Sequence, residues 1–159
     1  MNDINSLLKL KMTYKKGLIS KAEYINKIFS FHKLLFKYPE LIRSTDIDKI
    51  ELTENDVIFT QKSSGLRWIM SKTDSRSNPI EILNFDSYEQ EEMNMVLRLV
   101  SDGSTVFDIG ANIGWYSLNI RNNIKDLIIY AFEPIRSSYD LIKKNIQLNN
   151  LNNIKVYNF

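Results

Sequence analysis

The 159-residue sequence contains no cysteine and only one histidine, His32. Without cysteine the chain has neither a disulfide framework nor thiolate metal ligands, and a single histidine argues against a zinc site. The longest strongly apolar run, near Leu127 to Phe132, is far shorter than the ~20 residues that a membrane-spanning helix needs. The first ten residues lack the basic segment and the cleavage site of a signal peptide. We therefore expect a cytoplasmic protein with no metal site and no membrane span.

Hydrophobic residues make up 43% of the chain and charged residues 25%, which is ordinary for a globular protein of one domain with a small appendage. Its positive charge is concentrated at the amino terminus. The segment that ends at Tyr38 contains eight lysines and two acidic residues, which gives it a net charge of +6. The rest of the chain therefore has a net charge of −4, since the total is +2. Such a segment can contact acidic lipid, nucleic acid or a partner. A solvated helical face is the simpler interpretation, and since no RNA-stacking motif accompanies it we expect no nucleic-acid partner.

Residues 1–48 are predicted to form a helical segment. A first helix runs from Asp3 to Lys16 and ends at Gly17. SKAE, residues 20–23, is a capping box that begins a second helix, and Pro39 is expected to end it. A buried stripe is predicted on the second helix, together with His32 as a packed core residue. The stripe consists of Ile25, Ile28, Phe29, Leu35 and Phe36.

Residues 49–85 are predicted to form a small β region. DVIFT and LRWIM read as two strands of a hairpin, joined by QKSSG with Gly65 in the loop. Asn78-Pro79 is a turn signal, and IEILNF is expected to form another strand. Asp86, with Glu89 three residues later, is predicted to cap the helix that follows.

Residues 86–159 alternate between strand and helix patterns. TVFDI, LIIYAF and IKVYNF read as buried strands, and the segments that follow the first two have helical spacing. This alternation is typical of an α/β fold with a parallel sheet and right-handed crossovers. We predict a Rossmann-like domain whose ligand binds beyond the carboxyl ends of the strands.

The first strand is followed by the turn G-A-N-I-G, in which Gly110 and Gly114 would let a ligand approach the backbone. Glu133 follows the second strand, where a carboxylate can accept both hydroxyls of a ribose. The turn lacks the middle glycine of a dinucleotide-binding loop, with Asn112 near its place. Asp108 puts an acid near the turn, which disfavours a phosphate and favours an amino group. S-adenosylmethionine has this chemistry, with a ribose for Glu133 and an ammonium and a sulfonium near Asp108.

VFDIGANIGWYSL followed by YAFEPIRSSYDLIKKNIQLNN resembles the FkbM-type methyltransferases, a branch of the class I S-adenosylmethionine-dependent enzymes. The pattern L-x-x-x-N-x-x-x-N on Leu141, Asn145 and Asn149 is also similar, and so, less specifically, is FDSYEQEE upstream. The resemblance runs from about Phe85 to the end of the sequence. It implies the following cofactor-binding residues: Asp108, Gly110, Ala111, Asn112, Gly114 and Glu133.

The resemblance implies O-methylation of a hydroxyl on a small-molecule or glycan acceptor such as a sugar or secondary metabolite. A hydroxyl nucleophile must lose a proton, so a base is desirable. Asp86, Tyr88 and Glu89 are candidates, although helix capping would also explain them, and the catalytic residue stays unknown. Trp115 and Tyr116 are expected to be packing residues. Asn145 and Asn149, one helical turn apart, are expected to form local hydrogen bonds.

The sequence departs from the family pattern, because only the first three strands of a class I sheet are present. We expect a truncated amino-terminal portion of a longer bacterial methyltransferase, with impaired activity and possible self-association through the open sheet edge. A non-catalytic binding or regulatory module with a degenerate cofactor half-site is the alternative. An NAD-linked enzyme is a third possibility, against which the missing glycine argues.

Overall fold

The computed structural model describes residues 4–159, with side chains from residue 6 onwards. Asp3, where the first helix was predicted to begin, lies outside the described residues. The chain divides into two compact units, Met1–Leu41 and Ile42–Phe159. The three-part division predicted from the sequence stays a prediction. Among the described helices, none combines the length and the apolar character needed to cross a bilayer.

The first unit consists of short helices. They are α1 (Ile4–Lys15), α2 (Lys21–His32), a 3-10 helix (Lys33–Phe36) and α3 (Tyr38–Leu41). Gly17 follows α1 with φ +71°, and the Ser20 hydroxyl accepts a hydrogen bond from the Glu23 amide at 3.1 Å. The predicted stop of the first helix and the predicted capping box are therefore confirmed.

Two predictions in this unit are wrong. Pro39 does not end a helix but lies in the first turn of α3, where its missing amide leaves no hydrogen bond unmade. The predicted buried stripe is not buried, since Ile25 and Phe29 are each 50% exposed and His32 is also exposed. A unit of this size has too little chain to enclose a core of its own.

The second unit begins with an antiparallel sheet of order β1-β2-β3. Its strands are β1 (Ile47–Leu52), β2 (Val57–Gln61) and β3 (Arg67–Ile69). The predicted hairpin is confirmed, with Gly65 at φ +71° in the loop between β2 and β3. Phe59 and Trp68 are buried in the main core of this unit.

Two helices follow this sheet: α4 (Asn78–Phe85) and α5 (Gln90–Leu99). The prediction of a strand at IEILNF is wrong, because this segment belongs to α4. Pro79 lies in the first turn of α4, so the Asn78-Pro79 signal marks a helix start, and Ile82 provides its fully buried face. Helix α5 buries Met93.

The remainder is the predicted alternation of strands and helices. It comprises β4 (Ser104–Ile109), α6 (Trp115–Asn123), β5 (Leu127–Phe132), α7 (Arg136–Leu148) and β6 (Ile154–Tyr157). The strands form a parallel sheet of order β4-β5-β6, which confirms the α/β class. Ile109 pairs with Phe132, and Phe132 pairs with Tyr157, so the three strands end at the same edge.

The two faces of the parallel sheet differ. Helices α6 and α7 pack on one, the helix-covered face, where Ile129 and Ala131 are fully buried. On the other, Phe107 and Ile109 are 64% and 76% exposed, and the Phe107 ring stacks on that of Tyr130 with centroids 5.4 Å apart. Within residues 4–159 no strand pairs with the outer edge of β4. The name bare face is used below for Thr105, Phe107, Ile109, Ile128, Tyr130, Phe132, Lys155 and Tyr157.

Candidate functional site

The glycine turn, residues 110–114, joins β4 to α6 at the carboxyl edge of the parallel sheet. The amides of Gly110 and Ala111 both donate to the Phe132 carbonyl, at 2.9 and 3.0 Å, which ties the turn to the end of β5. Gly110, Asn112 and Gly114 have φ values of +79°, +49° and +96°. Left-handed backbone at three positions within five residues explains why the turn needs its glycines.

The two glycines have different roles. A Cβ on Gly114 would lie 2.5 Å from Leu118 Cδ1 and 2.7 Å from Ile142 Cγ1, so this glycine allows α6 and α7 to pack closely. A Cβ on Gly110 would have no neighbour within 4 Å. Only Gly110 therefore has the open space that the sequence interpretation assigned to both. At Gly114 the missing side chain serves packing, and the predicted place of this residue in a cofactor site stays a prediction.

Glu133 is the most strongly organised polar residue of this edge. Its side chain is buried, with 4% of the residue exposed. Oε2 accepts a hydrogen bond from the Asn112 amide at 2.8 Å, and Oε1 accepts one from the Ile135 amide at 2.7 Å. Glu133 is therefore not a solvated loop acid. One carboxylate connects the glycine turn to the loop after β5, and each of its oxygens keeps a free lone pair.

Asp108 lies at the end of β4 on the helix-covered face. Its Oδ2 accepts hydrogen bonds from the Ser117 hydroxyl at 2.6 Å and the Ser117 amide at 3.2 Å. Burial raises the pKa of the Asp108 carboxyl, and the two bonds from Ser117 oppose that rise. The carboxylate therefore satisfies an amide in the first turn of α6, which is a capping task that the sequence interpretation did not assign to it.

The acidic segment before α5 is arranged differently from the predicted capping box. Asp86 and Glu89 have positive φ values, and neither side chain caps the helix. The Asp86 side chain accepts only a long bond, 3.4 Å, from the Ser44 hydroxyl, and the Asp86 carbonyl accepts one from the Asp46 amide at 2.8 Å. Glu89 is the residue before α5, where its left-handed backbone forms the cap position. The capping explanation of these acids is therefore wrong, and strained acidic residues of this kind are often functional.

Tyr88 brings this segment to the start of α6. Its ring meets that of Trp115 edge-on, with centroids 5.2 Å apart. Burial and the Glu89 carboxylate raise the pKa of the Tyr88 phenol to about 12, and the same two causes raise the pKa of Tyr116 well above its usual value. Both phenols therefore stay protonated and are available as donors to Glu89. Trp115 is buried, which confirms its predicted packing role.

Asn145 and Asn149 were predicted to form hydrogen bonds with residues close in sequence. This prediction is wrong, because most of their hydrogen bonds go to residues far away in sequence. Asn145 Oδ1 accepts from the Ile69 amide at 2.9 Å, and its Nδ2 donates to the Ile113 carbonyl at 2.9 Å. Asn149 bonds both the amide and the carbonyl of Arg67, at 2.8 and 2.7 Å. The signal that could have revealed this is an asparagine beside Ile142 on the inward face of α7, because a buried amide must find partners.

The structure therefore gathers most of the predicted cofactor-binding residues at one edge of the parallel sheet. The Asn112 amide donates to Glu133, and the Gly110 and Ala111 amides donate to the carbonyl of Phe132, the residue before it. Asp108 binds Ser117 of α6, and Gly114 allows α6 and α7 to pack closely beside these residues. Among the candidate bases, Tyr88 adjoins this region through Trp115, and Asp86 has no such contact in the described residues.

Comparison with known proteins gives one family match. The model of the TRM5/TYW2 methyltransferase domain matches residues 79–158, which is just over half of the chain. No curated protein matches. The match supports the methyltransferase part of the predicted resemblance and does not show its FkbM-type branch.

Several solved structures are similar to part of the chain. Trm5b from Pyrococcus abyssi is 16% identical over 70% of this chain and 34% of its own, with a TM-score of 0.48. P. horikoshii TYW2, solved with MeSAdo, is 20% identical over 68% and 38%, with a TM-score of 0.47. M. jannaschii TYW2, solved with AdoMet, is 19% identical over 72% and 43%, with a TM-score of 0.41. The chain thus spans between a third and a half of these proteins.

Proposed function

We propose that this chain, which belongs to the TRM5/TYW2 methyltransferase domain family, provides one half of an S-adenosylmethionine site. This half consists of the glycine turn and of Glu133 as the acceptor of the ribose hydroxyls. S-adenosylmethionine is the methyl donor of this family. The observation that carries the proposal is the buried Glu133 carboxylate, which holds the Asn112 amide of the glycine turn. A ligand at this edge of the sheet would contact both a carboxylate that accepts hydrogen bonds and the open space beside Gly110.

The residues present fit this cofactor. Glu133 has a free lone pair on each carboxylate oxygen, so it can accept two neighbouring ribose hydroxyls without giving up its two amide partners. The space beside Gly110 admits a compact group above the turn. No phosphate has to be placed near Asp108. These three features together favour S-adenosylmethionine over a dinucleotide.

The bound cofactor would supply a methyl group on a positively charged sulfur. The contribution of this chain is positioning, since holding a nucleophile and a methyl group in line accounts for much of the acceleration in such transfers. Glu133 fixes the ribose, and the hydrogen-bonded turn limits the movement of whatever lies above it. We assign no catalytic base, although Glu89 with its two neighbouring tyrosines is the acid we would test first.

We propose a nucleoside in tRNA as the first candidate acceptor. The family is of the tRNA-modifying type, and the first unit carries the lysine excess described above. A strand of phosphates is a suitable partner for such a basic unit. This reverses our expectation of no nucleic-acid partner.

A hydroxyl of a sugar, glycan or secondary metabolite is the second candidate acceptor. The motif D-I-G-A-N-I-G-W-Y and the sequence FEP at Glu133 favour it through their resemblance to the FkbM-type enzymes. The two acceptors can be separated by filter binding of tRNA to the whole chain at low and high salt. Salt-sensitive binding supports the first candidate, and no binding supports the second.

The cofactor proposal is tested by calorimetric titration of the whole chain with S-adenosylhomocysteine. Gly110→Asp should abolish binding, because it places a carboxylate in the open space over the turn. Gly103→Asp is the matched control, since Gly103 has φ +81° and equally open surroundings but precedes β4, at the opposite end of the strand. Binding by Gly103→Asp and not by Gly110→Asp supports the site. Absence of binding by the folded unmodified chain contradicts it.

We also propose that the bare face contacts a second copy of this chain. Its most exposed apolar side chains, with Phe159 beside them, are Phe107, Ile109, Ile128 and Tyr157. At ~150–250 Å² for a whole aromatic side chain, they expose on the order of 500 Å² per copy. Two copies would bury about 1,000 Å², which is near the lower limit for a specific interface. Sedimentation velocity over a range of concentrations tests this proposal.

A further inference from the structure

The outer edge of β3 is completed by side chains of α7. In an antiparallel sheet the residues of an edge strand alternately direct both backbone polar groups inward and outward. Trp68 faces β2, and its neighbours Arg67 and Ile69 face away from it. Asn149 bonds the outward amide and carbonyl of Arg67, and Asn145 bonds the outward amide of Ile69. Two side-chain amides therefore take the place of a fourth strand.

The spacing of the two asparagines matches that of the strand. Residues four apart on a helix are about 6 Å apart along its axis, and residues two apart on a strand are about 6.7 Å apart. Asn149 bonds Arg67 and Asn145 bonds Ile69, so α7 runs antiparallel to β3. The N-x-x-x-N pattern thus has a geometrical reason, because another spacing would leave an outward amide of β3 unsatisfied.

Asn145 differs from Asn149 in one contact. Its Nδ2 donates to the carbonyl of Ile113, inside the glycine turn. The Nδ2 of Asn149 donates to Arg67 and to the Asn145 carbonyl, so it does not reach the turn. Asn145 is fully buried, so water cannot replace either bond. A single side chain therefore joins the antiparallel sheet to the glycine turn.

We infer that Asn145 is a positioning residue, which couples the small antiparallel sheet to the candidate cofactor site. The Ile69 amide of the sheet holds Oδ1 of Asn145 in place. Nδ2 of the same side chain then holds the Ile113 carbonyl of the turn. Order in the turn depends on β3 even though 44 residues of chain separate Ile69 from Ile113. The effect on cofactor affinity rests on the proposed function, whereas the effect on the turn itself does not.

The test compares Asn145→Asp with Asn149→Asp by amide hydrogen exchange on the whole ligand-free chain. Each variant keeps an oxygen for its β3 amide and loses a donor. We expect the Gly114 amide, which bonds the Ala111 carbonyl, to exchange about tenfold faster in Asn145→Asp, as for loss of one buried hydrogen bond. Asn149→Asp should change exchange in β3 and leave Gly114 near its original rate.

Equal Gly114 exchange in the two variants, or no change in Asn145→Asp, would overturn the inference. If Asn145→Asp does not fold, Asn145→Ser is measured instead, since its hydroxyl is too short to bridge the two segments and leaves room for water. The same ranking of exchange rates is expected. Titration with S-adenosylhomocysteine then follows, and a larger loss of affinity in the Asn145 variant is expected. If the unmodified chain binds no cofactor, the proposed function fails while the exchange rates still decide the coupling.

Discussion

Side chains that alternate along one strand have opposite surroundings on the two faces of the parallel sheet. In β5, Ile129 is enclosed by the helices, whereas its neighbour Ile128 is substantially exposed. Both are isoleucines in the run LIIYAF, which is apolar on both sides. Such a run is typical of strands that are buried on both faces. The parallel sheet is therefore apolar on both faces, as in sheets that are covered on both sides, whereas the described residues cover only one of its faces.

The largest effect on the free energy of unfolding is expected in β5, where the two faces can be compared by truncating one isoleucine on each. Ile129→Ala is expected to lower the free energy of unfolding by about 2–5 kcal/mol, because it leaves a cavity beneath the helices. Ile128→Ala removes the same atoms from the bare face and should cost less than about 1 kcal/mol. Urea unfolding of both variants makes the measurement. Similar losses for the two would show that the bare face is covered in solution.

Gly114 tests how tightly the helices close the covered face. Gly114→Ala should lower the free energy of unfolding by about 3 kcal/mol, through overpacking against Leu118 and Ile142 and through strain at positive φ. Gly103→Ala has the strain without the clash and should cost about 1 kcal/mol. Thermal unfolding of the pair separates the two contributions. Equal losses would mean that packing against α7 is not the reason for this glycine.

A change on the bare face should alter association more than stability. Phe107→Asp places a charge in the middle of the exposed aromatic side chains and should lower self-association at least about tenfold, because the charge loses water on contact. Leu99→Asp is a control with an equally exposed apolar side chain on α5, outside the bare face. Sedimentation velocity gives the association constant. If both variants associate like the original chain, the bare face is not the contact.

The smallest effect concerns Asp108, the acid at the end of β4 on the helix-covered face. The raised pKa of Asp108 means that the folded chain holds this proton more tightly than the unfolded chain. Its ionisation therefore costs stability above the folded pKa, and that cost disappears as the pH falls through it. Relative to Asp108→Asn, the original chain should become more stable as the pH falls through the raised folded pKa of Asp108 towards the ordinary range of an unfolded aspartate. A difference that is constant with pH, in urea unfolding, would contradict the assignment.

Much of the fold could be predicted, because local patterns decide it. The three parallel strands, the glycine turn and α7 follow from apolar periodicity and from glycine, and they were located correctly. The error at α4 arose because Asn-Pro begins a helix as readily as a turn, and six apolar-rich residues do not distinguish helix from strand. The exposed stripe of α2 shows that periodicity predicts a face and not what covers it.

The candidate site was predictable only in part. Glu133 and the glycine turn could be found from their positions after two successive strands. The roles of Asp108 and Gly114 could not be found, because a capping bond to Ser117 and a close approach to Ile142 depend on how α6 and α7 pack. The bonds of Asn145 cross 76 and 32 residues of sequence, which no local pattern can specify.

These long-range bonds of Asn145 have a consequence for the order in which the chain is made. Synthesis proceeds from the amino terminus, so β3 and the glycine turn leave the ribosome before α7 does. Until Asn145 emerges, the outer amide of Ile69 and the carbonyl of Ile113 have only water as partner. The turn therefore completes its structure only after α7 has emerged. A nascent chain halted with the turn outside the ribosome and α7 still inside it should show a protease-sensitive turn, and one halted after α7 has emerged should not.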